Sequence, residues 1–309
     1  MSLFVKRIIG LEISKELVGG ALLRGARGLP LLEQTAFETL PPDTISISRR
    51  KPHLSDPSLF VQKVSRIKSL LQTDVSSAAL SLPDAAGRVV LMDLDETWKN
   101  RDEAAEMILW KLKKNMPHEP LDLHLDFQIL LKREAGPSLV LAALVARPVV
   151  EQYENLLHES GFETVWIGMN QISLVRAFAG EIADEGARAF VSWYGENLGI
   201  IMIHDGIPVF WRSKYLPAEV GDGERIDQEL HGSIEAYNRQ WPDRTAVKAY
   251  FFAPCDRNHA WYNLLSSMWE QPPVLLDYSS LYRKRTGTES LISRDNGVIA
   301  AIAAAAGRL

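Results

Sequence analysis

A unit of three short strands, a helix and a fourth strand runs twice through this 309-residue chain, once from about residue 5 and again from about residue 188. In the first copy Val5–Ile13, Val18–Arg24 and Leu31–Leu40 are apolar runs separated by short polar breaks, which reads as strands joined by tight turns. Pro41-Pro42 ends the third, because proline has no N–H to give a sheet ladder. A helix is predicted from Asp56-Pro57, with aspartate as cap and proline in the first turn. Leu59, Phe60, Val64, Ile67, Leu70 and Leu71 recur at three- and four-residue spacing and make its apolar face. Ser77–Leu82 is the fourth strand, stopped by Pro83-Asp84. The second copy has Arg188–Tyr194, Gly199–His204 and Val209–Leu216, with the hairpin dipeptide Asp205-Gly206 between two of them. A helix over 223–240 and a strand Val247–Ala253 complete it, followed by a helix Asn258–Glu270, a strand Val274–Leu276 and a closing helix Gly297–Ala306. A duplication of this size predicts two related α/β lobes.

Between the copies lies a separate rhythm. Arg88–Leu94 reads as a strand, Glu96–Asn115 as an amphipathic helix, and Leu121–Leu131 and Ser138–Val145 as two more strands. Leu121, Leu123, Leu125, Phe127 and Ile129 alternate with Asp122, His124, Asp126 and Gln128, the period of a half-buried antiparallel strand. The helices Pro148–Ser160 and Gln171–Ala183, with a strand Thr164–Ile167 between them, return to the first lobe. The expected division is 1–85 with 147–186 as the first lobe, 86–146 as an inserted β-α-β-β subdomain, and 187–309 as the second lobe.

The bulk chemistry narrows the function. A net charge of −5, with no basic stripe, argues against nucleic acid as a partner. The denser basic clusters, Arg49-Arg50-Lys51 and Arg283-Lys284-Arg285, fall in loop-like settings. The single cysteine, Cys255, permits no internal disulfide and no cysteine-based zinc cluster, and no His–Asp arrangement marks it as a nucleophile. The seven histidines show no zinc spacing, and neither a Walker A loop nor a Gly-x-Ser-x-Gly elbow is present. Carboxylate pairs such as Asp93/Asp95 and Asp122/Asp126 read as charged strand faces. The opening residues lack the order of a signal peptide. Leu139–Ala146 and Val298–Ala306, the longest apolar runs, fall short of the ~18 residues a membrane span needs. The expected location is the cytoplasm.

Several segments, in order, resemble the PilM family of type IV pilus assembly proteins, in the FtsA and PilM branch of the actin-like superfamily. Residues 2–13 (SLFVKRIIGLEI) are similar to the family's opening, and residues 115–130 (NMPHEPLDLHLDFQIL) to the end of its inserted helix and the strand beyond. Leu141–Tyr153, with Ala-Arg-Pro-Val-Val-Glu-Gln-Tyr, is similar to the return strand and helix, and 298–309 to the alanine-rich closing helix. The resemblance implies an α/β, actin-like (ribonuclease H-like) fold of duplicated βββαβα lobes, with the β-α-β-β insertion in the first.

It also implies a nucleotide site, held by two opposed hairpins whose glycines admit phosphates and whose aspartates approach Mg²⁺. In this chain the first hairpin carries Glu12 for the aspartate and Ser14 for a glycine, with Lys15 available to a phosphate; the family's later lysine falls at Gly19. Setting Ser192-Trp193-Tyr194-Gly195 against Val-Asp-Ile-Gly puts Trp193 at the second carboxylate, with Gly195 and Glu196 in the turn. The family's Gly-Gly turn is Phe252-Ala253-Pro254-Cys255. Glu12, Ser14, Lys15, Gly195 and Glu196 thus form a vestigial nucleotide site, with no cofactor expected unless the site still takes ATP and magnesium. Glu12 otherwise reads as a turn carboxylate without a ligand, and Trp193 and Trp211 as packing residues. The resemblance implies a scaffold that grips the cytoplasmic tail of an inner-membrane PilN-like partner between the first lobe and the insertion, reaching the membrane only through that partner. Leu125, Phe127 and Ile129, or their neighbours, are the candidate contacts; otherwise these three are the core of the insertion. The alternatives are a divergent ATPase or phosphotransferase of the same fold, and a free-standing relative of the cytoplasmic part of the secretion protein GspL.

Overall fold

The computed structural model describes residues 6–95, 98–115, 122–133, 136–183, 185–217, 223–244, 246, 248–253, 258–269, 271–284 and 298–309. The first copy of the repeat forms strands β1 (Arg7–Ile13), β2 (Leu17–Arg24) and β3 (Leu31–Thr39), helix α1 (Pro57–Leu70) and strand β4 (Ser77–Leu82). The insertion is β5 (Gly87–Leu94), α2 (Arg101–Asn115), β6 (Leu123–Leu131) and β7 (Ser138–Ala146). The chain returns through α3 (Arg147–Glu159), β8 (Glu163–Met169), α4 (Asn170–Ala177) and α5 (Ala179–Ile182). The second copy is β9 (Ala187–Tyr194), β10 (Asn197–His204), β11 (Ile207–Tyr215), α6 (Gly223–Gln240) and β12 (Lys248–Phe252), followed by α7 (Asn258–Ser266) and β13 (Val274–Leu275). The last elements are β14 (Arg283–Lys284) and α8 (Ile299–Ala306).

Two sheets repeat one topology. The first runs β14-β3-β2-β1-β4-β8 and the second β11-β10-β9-β12-β13. In each, three antiparallel strands are followed by parallel additions: β4 beside β1 and β8 beside β4, β12 beside β9 and β13 beside β12. The insertion is a separate antiparallel sheet, β5-β7-β6, with α2 packed against one face through Ala104, Ile108 and Leu112. Helix α1 begins as the sequence predicts: Asp56 accepts from the Leu59 N–H at 3.0 Å, and Pro57 opens the first turn. Phe60, Val64, Ile67 and Leu71 are buried against the first sheet and α3, while Leu70 turns outward.

The packing corrects one boundary. Residues 187–309 do not all belong to the second lobe. Strand β14 pairs with β3, and α8 lies against β1, β2, β4 and α4. Helix α8 is alanine-rich because it fills the middle layer between the lobes, where Ile299 to Ala305 are buried together with Phe178, Phe190 and Phe252. Only small side chains let a helix backbone approach a strand as closely as this one approaches Gly10. The predicted helix 171–183 is two helices, α4 and α5, which meet at Phe178.

Candidate functional site

Strand periodicity decides what reaches the junction of the lobes. On β1, Ile8, Gly10 and Glu12 face the middle layer, while Ile9, Leu11 and Ile13 face α1 and α3. On β9, Phe190 and Tyr194 point inward, whereas Val191 and Trp193 pack with Leu230 and Tyr237 of α6 and Leu265 of α7. Trp193 is therefore a core residue of the second lobe, and its neighbour Tyr194 meets the first. A period of two makes this a one-residue matter: the position that sequence matching sets against the second carboxylate has its side chain on the opposite face.

Glu12 is buried and fully engaged. Tyr194 donates its hydroxyl to Oε1 at 2.7 Å, and the Ala300 and Ala301 N–H groups donate to Oε2 at 2.9 and 3.3 Å. A carboxylate from the first hairpin thus caps the first turn of α8 and is tied to the second lobe by a phenol. Burial pushes the pKa of Glu12 up to about 7, against these three hydrogen bonds, which favour the ionised form, and with a smaller push from the charge of Asp84. Burial and the adjoining Glu12 carboxylate raise Tyr194 well above the ordinary phenol range.

The hairpin tips are bridged as well. Lys15 Nζ donates to Tyr215 Oη at 2.7 Å and to Glu196 Oε2 at 3.0 Å, and Tyr215 donates to the same carboxylate at 3.0 Å. These contacts raise the pKa of Lys15, the Tyr215 bond contributing most. Ser14 is spent on its own turn, where its hydroxyl accepts the Leu17 N–H at 3.2 Å. Gly195 and Glu196 form the two-residue turn of the second hairpin at φ 57° and 59°. The structure therefore brings Glu12, Lys15 and Glu196 to one junction, where they bond to protein groups. Pro254 and Cys255 lie outside the described residues.

Asp84, absent from the sequence-level candidates, stands at the same junction. It follows β4, and its Oδ1 accepts the Gln171 N–H at 3.0 Å at the start of α4. Burial pushes its pKa up to about 7. Gln171 is buried, and neither its Oε1 nor its Nε2 has a hydrogen-bond partner among the described residues. The amide lies over Gly199, where an added Cβ would come within 1.5 Å of Nε2. Ser81 completes the polar patch, donating to Asn170 Oδ1 at 2.8 Å. The signal for Asp84 was available, since an acid directly after a buried fourth strand sits where two lobes of this topology converge. Read locally, it was only a strand stop.

A second feature lies beside the junction. A groove of about 860 Å³ runs between the insertion and the first lobe. One wall is the face of β6 and β7 turned away from α2, with His124, Asp126, Ala143 and Val145; the other is β8, with Val165 and Trp166. Both β6 and β8 are edge strands. Of the candidate contacts, Leu125 and Phe127 border the groove while also packing in the cluster under α2, and Ile129 is 40% exposed and does not line it. The alternate residues of the strand, His124, Asp126 and Gln128, present their side of the sheet to it.

Among the described residues, no cluster of three or more His, Cys, Asp or Glu side chains could hold a metal ion, and no helix is long and apolar enough to cross a membrane. No protein-family model matches the chain, and no curated protein matches it. Among solved structures, a chain of a PilM-PilN type IV pilus biogenesis complex is similar with a TM-score of 0.79, over 96% of this chain and 97% of that one, at 16% identity. A protein of Bacteroides thetaiotaomicron VPI-5482, with an actin-like ATPase fold and unknown function, is similar with a TM-score of 0.55, over 87% and 90% at 10% identity. The repeated sheets, the insertion in the first lobe and these superpositions establish that the chain has the actin-like α/β fold, in a form similar to a chain of the PilM-PilN complex.

Proposed function

We propose that this chain is a non-catalytic scaffold of a type IV pilus or related secretion machine, and that it holds the extended cytoplasmic tail of an inner-membrane PilN-like protein. The observation that carries this reading is the groove lined by two strands, β6 and β8, that among the described residues pair on one side only. An edge strand presents free N–H and C=O groups, and an extended peptide satisfies them by adding a strand while its alternate side chains enter the groove. In this reading the protein acts in the cytoplasm and reaches the membrane through its partner. The test is a titration with fluorescein-labelled peptides covering the cytoplasmic tails of the pilus inner-membrane proteins of the same genome. Saturable binding is expected for one of them and is lost in Ala143→Arg, which fills the groove from its β7 wall. Val165→Arg, at a site already 46% exposed, gives the same loss without touching the interior. If no tail saturates, or if both variants bind as well as the parent, the scaffold reading fails.

A second reading, a divergent ATP-dependent enzyme, is favoured by the unpartnered Gln171 amide beside Asp84. The donor set fits Mg-ATP poorly. The Glu12 carboxylate is committed to Tyr194 and α8, Lys15 is committed to Glu196 and Tyr215, and Glu196 sets a negative charge where phosphates would enter. We expect millimolar Mg-ATP to leave the melting midpoint unchanged. A ligand at a thousand times its dissociation constant would stabilise the fold by about 4 kcal/mol, so a magnesium-dependent rise of several degrees would move the enzyme reading ahead.

A further inference from the structure

We propose that the segment held in the groove carries an acidic side chain, and that Arg176 and Arg308 receive it against Trp166. This deepens the scaffold reading and rests on it. Trp166, on the edge strand β8, is laid over Gly168, where an added Cβ would come within 2.1 Å of the ring. The guanidinium carbons of Arg308 and Arg176 stand 5.1 and 6.0 Å from the centroid of the same ring. Stacking on an indole orients a guanidinium while leaving its N–H fork free for a planar, bidentate acceptor. Arg176 is anchored from behind, since its Nη2 donates to the Gly307 carbonyl at 2.8 Å.

The charge around this pair is unbalanced. The groove is lined by Arg101, Arg176 and Arg308 against the carboxylates of Asp126 and Glu154. Asp126 is taken up by Arg101, which also stacks on Phe127. Among the described residues, no carboxylate lies within 4.0 Å of either Arg176 or Arg308, and the Arg308 Nε is buried without a partner. Burial and the charge of Arg176 hold the Arg308 pKa below its ordinary value, opposed by the charge of Asp126. Two like charges side by side with an unsatisfied N–H between protein walls are stabilised by an incoming carboxylate. A strand added along β8 or β6 sends every second side chain toward this pair, so one fixed position of the occupant is Asp or Glu.

The test pans a phage library of random dodecapeptides against the full chain, and in parallel against Ala143→Arg and the double variant R176Q/R308Q. Peptides that bind the parent and not Ala143→Arg are expected to share an acidic residue at one position. Labelled synthetic copies are expected to bind R176Q/R308Q about 10- to 100-fold more weakly than the parent, the range for losing a charge-assisted hydrogen bond. Replacing the acidic residue of the peptide by its amide is expected to weaken binding to the parent by a similar factor and to abolish the difference between parent and variant. The peptide-side change is measured on the unaltered protein, so it decides the question even if the double variant does not fold. Groove-dependent peptides with no shared acidic position, or with the same affinity after the amide replacement, overturn the proposal and leave the scaffold reading standing. Recovery of no peptide that Ala143→Arg excludes overturns both.

Discussion

Gly10→Ala is expected to destabilise the protein by at least about 3 kcal/mol, the upper part of the range for overpacking a filled interior, and so to lower the thermal midpoint by about 5 °C or more. A Cβ at this position would lie 1.8 Å from the carbonyl oxygen of Ala301 and 2.5 Å from its carbonyl carbon. Both are backbone atoms of α8, so no rotamer change relieves the overlap. Either β1 or the helix must move, and the helix is the element that seals the layer between the lobes. Gly180→Ala is the control. An added Cβ there meets nothing within 4 Å, so its stability should stay within about 0.5 kcal/mol of the parent. A Gly10→Ala protein that melts with the parent would mean that α8 does not press on β1 in solution.

Glu12→Ala is expected to cost about 3 kcal/mol at pH 7, from three donors left without an acceptor and the volume removed. The Ala300 and Ala301 N–H groups lose their cap, and the Tyr194 hydroxyl loses its link to the first lobe. Glu12→Gln keeps the shape and one acceptor and should cost less. It also changes the pH dependence. The folded state raises Glu12 from its ordinary value of 4.5 to about 7, and Asp84 from 3.8 to about 7. Between those limits the folded chain holds protons that the unfolded chain has released. The associated stability is complete below about pH 4 and is lost as pH rises through 7, so the parent should melt at a higher temperature at pH 5.5 than at pH 8. Glu12→Gln should flatten that slope in part, and E12Q/D84N should flatten it further. Melts of the three proteins across this range check the sign, and a parent more stable at pH 8 would show that both carboxylates fold in their charged form. The same variants bear on function, because a Glu12 held for structure predicts tail binding by Glu12→Gln close to that of the parent.

Much of the architecture was legible because it is written in local patterns. Short apolar runs along 7–13, 17–24 and 187–194, bounded by turn residues, mark strands whatever they later pack against, and Asp56-Pro57 signals a helix start through groups within four residues of each other. The repeat near residues 5 and 188 reappears as two sheets of one topology, and the β-α-β-β run as a third sheet with its own core. The candidate site was legible only as a list of residues. Glu12, Lys15 and Glu196 do meet, but their partners are far along the chain: Tyr194 is 182 residues from Glu12, and Ala300 is 288. No local pattern reports a bond across such a separation.

The limits of local reading show most clearly at two parities. Matching Trp193 to a carboxylate placed the right strand at the junction, one residue out of step, because similarity in sequence does not say which face of a strand a side chain takes until its sheet is packed. On β6 the groove is bordered by Leu125 and Phe127 together with their neighbours His124, Asp126 and Gln128, while α2 packs over Phe127 from the other side. By itself the amino-acid sequence determined the elements, their duplication and the insertion, since periodicity and turn chemistry act over a few residues. Only the tertiary structure decided that the closing helix returns to the first lobe, that Glu12 caps it, and that two arginines gather on Trp166, because each depends on contacts between segments that the chain order keeps apart.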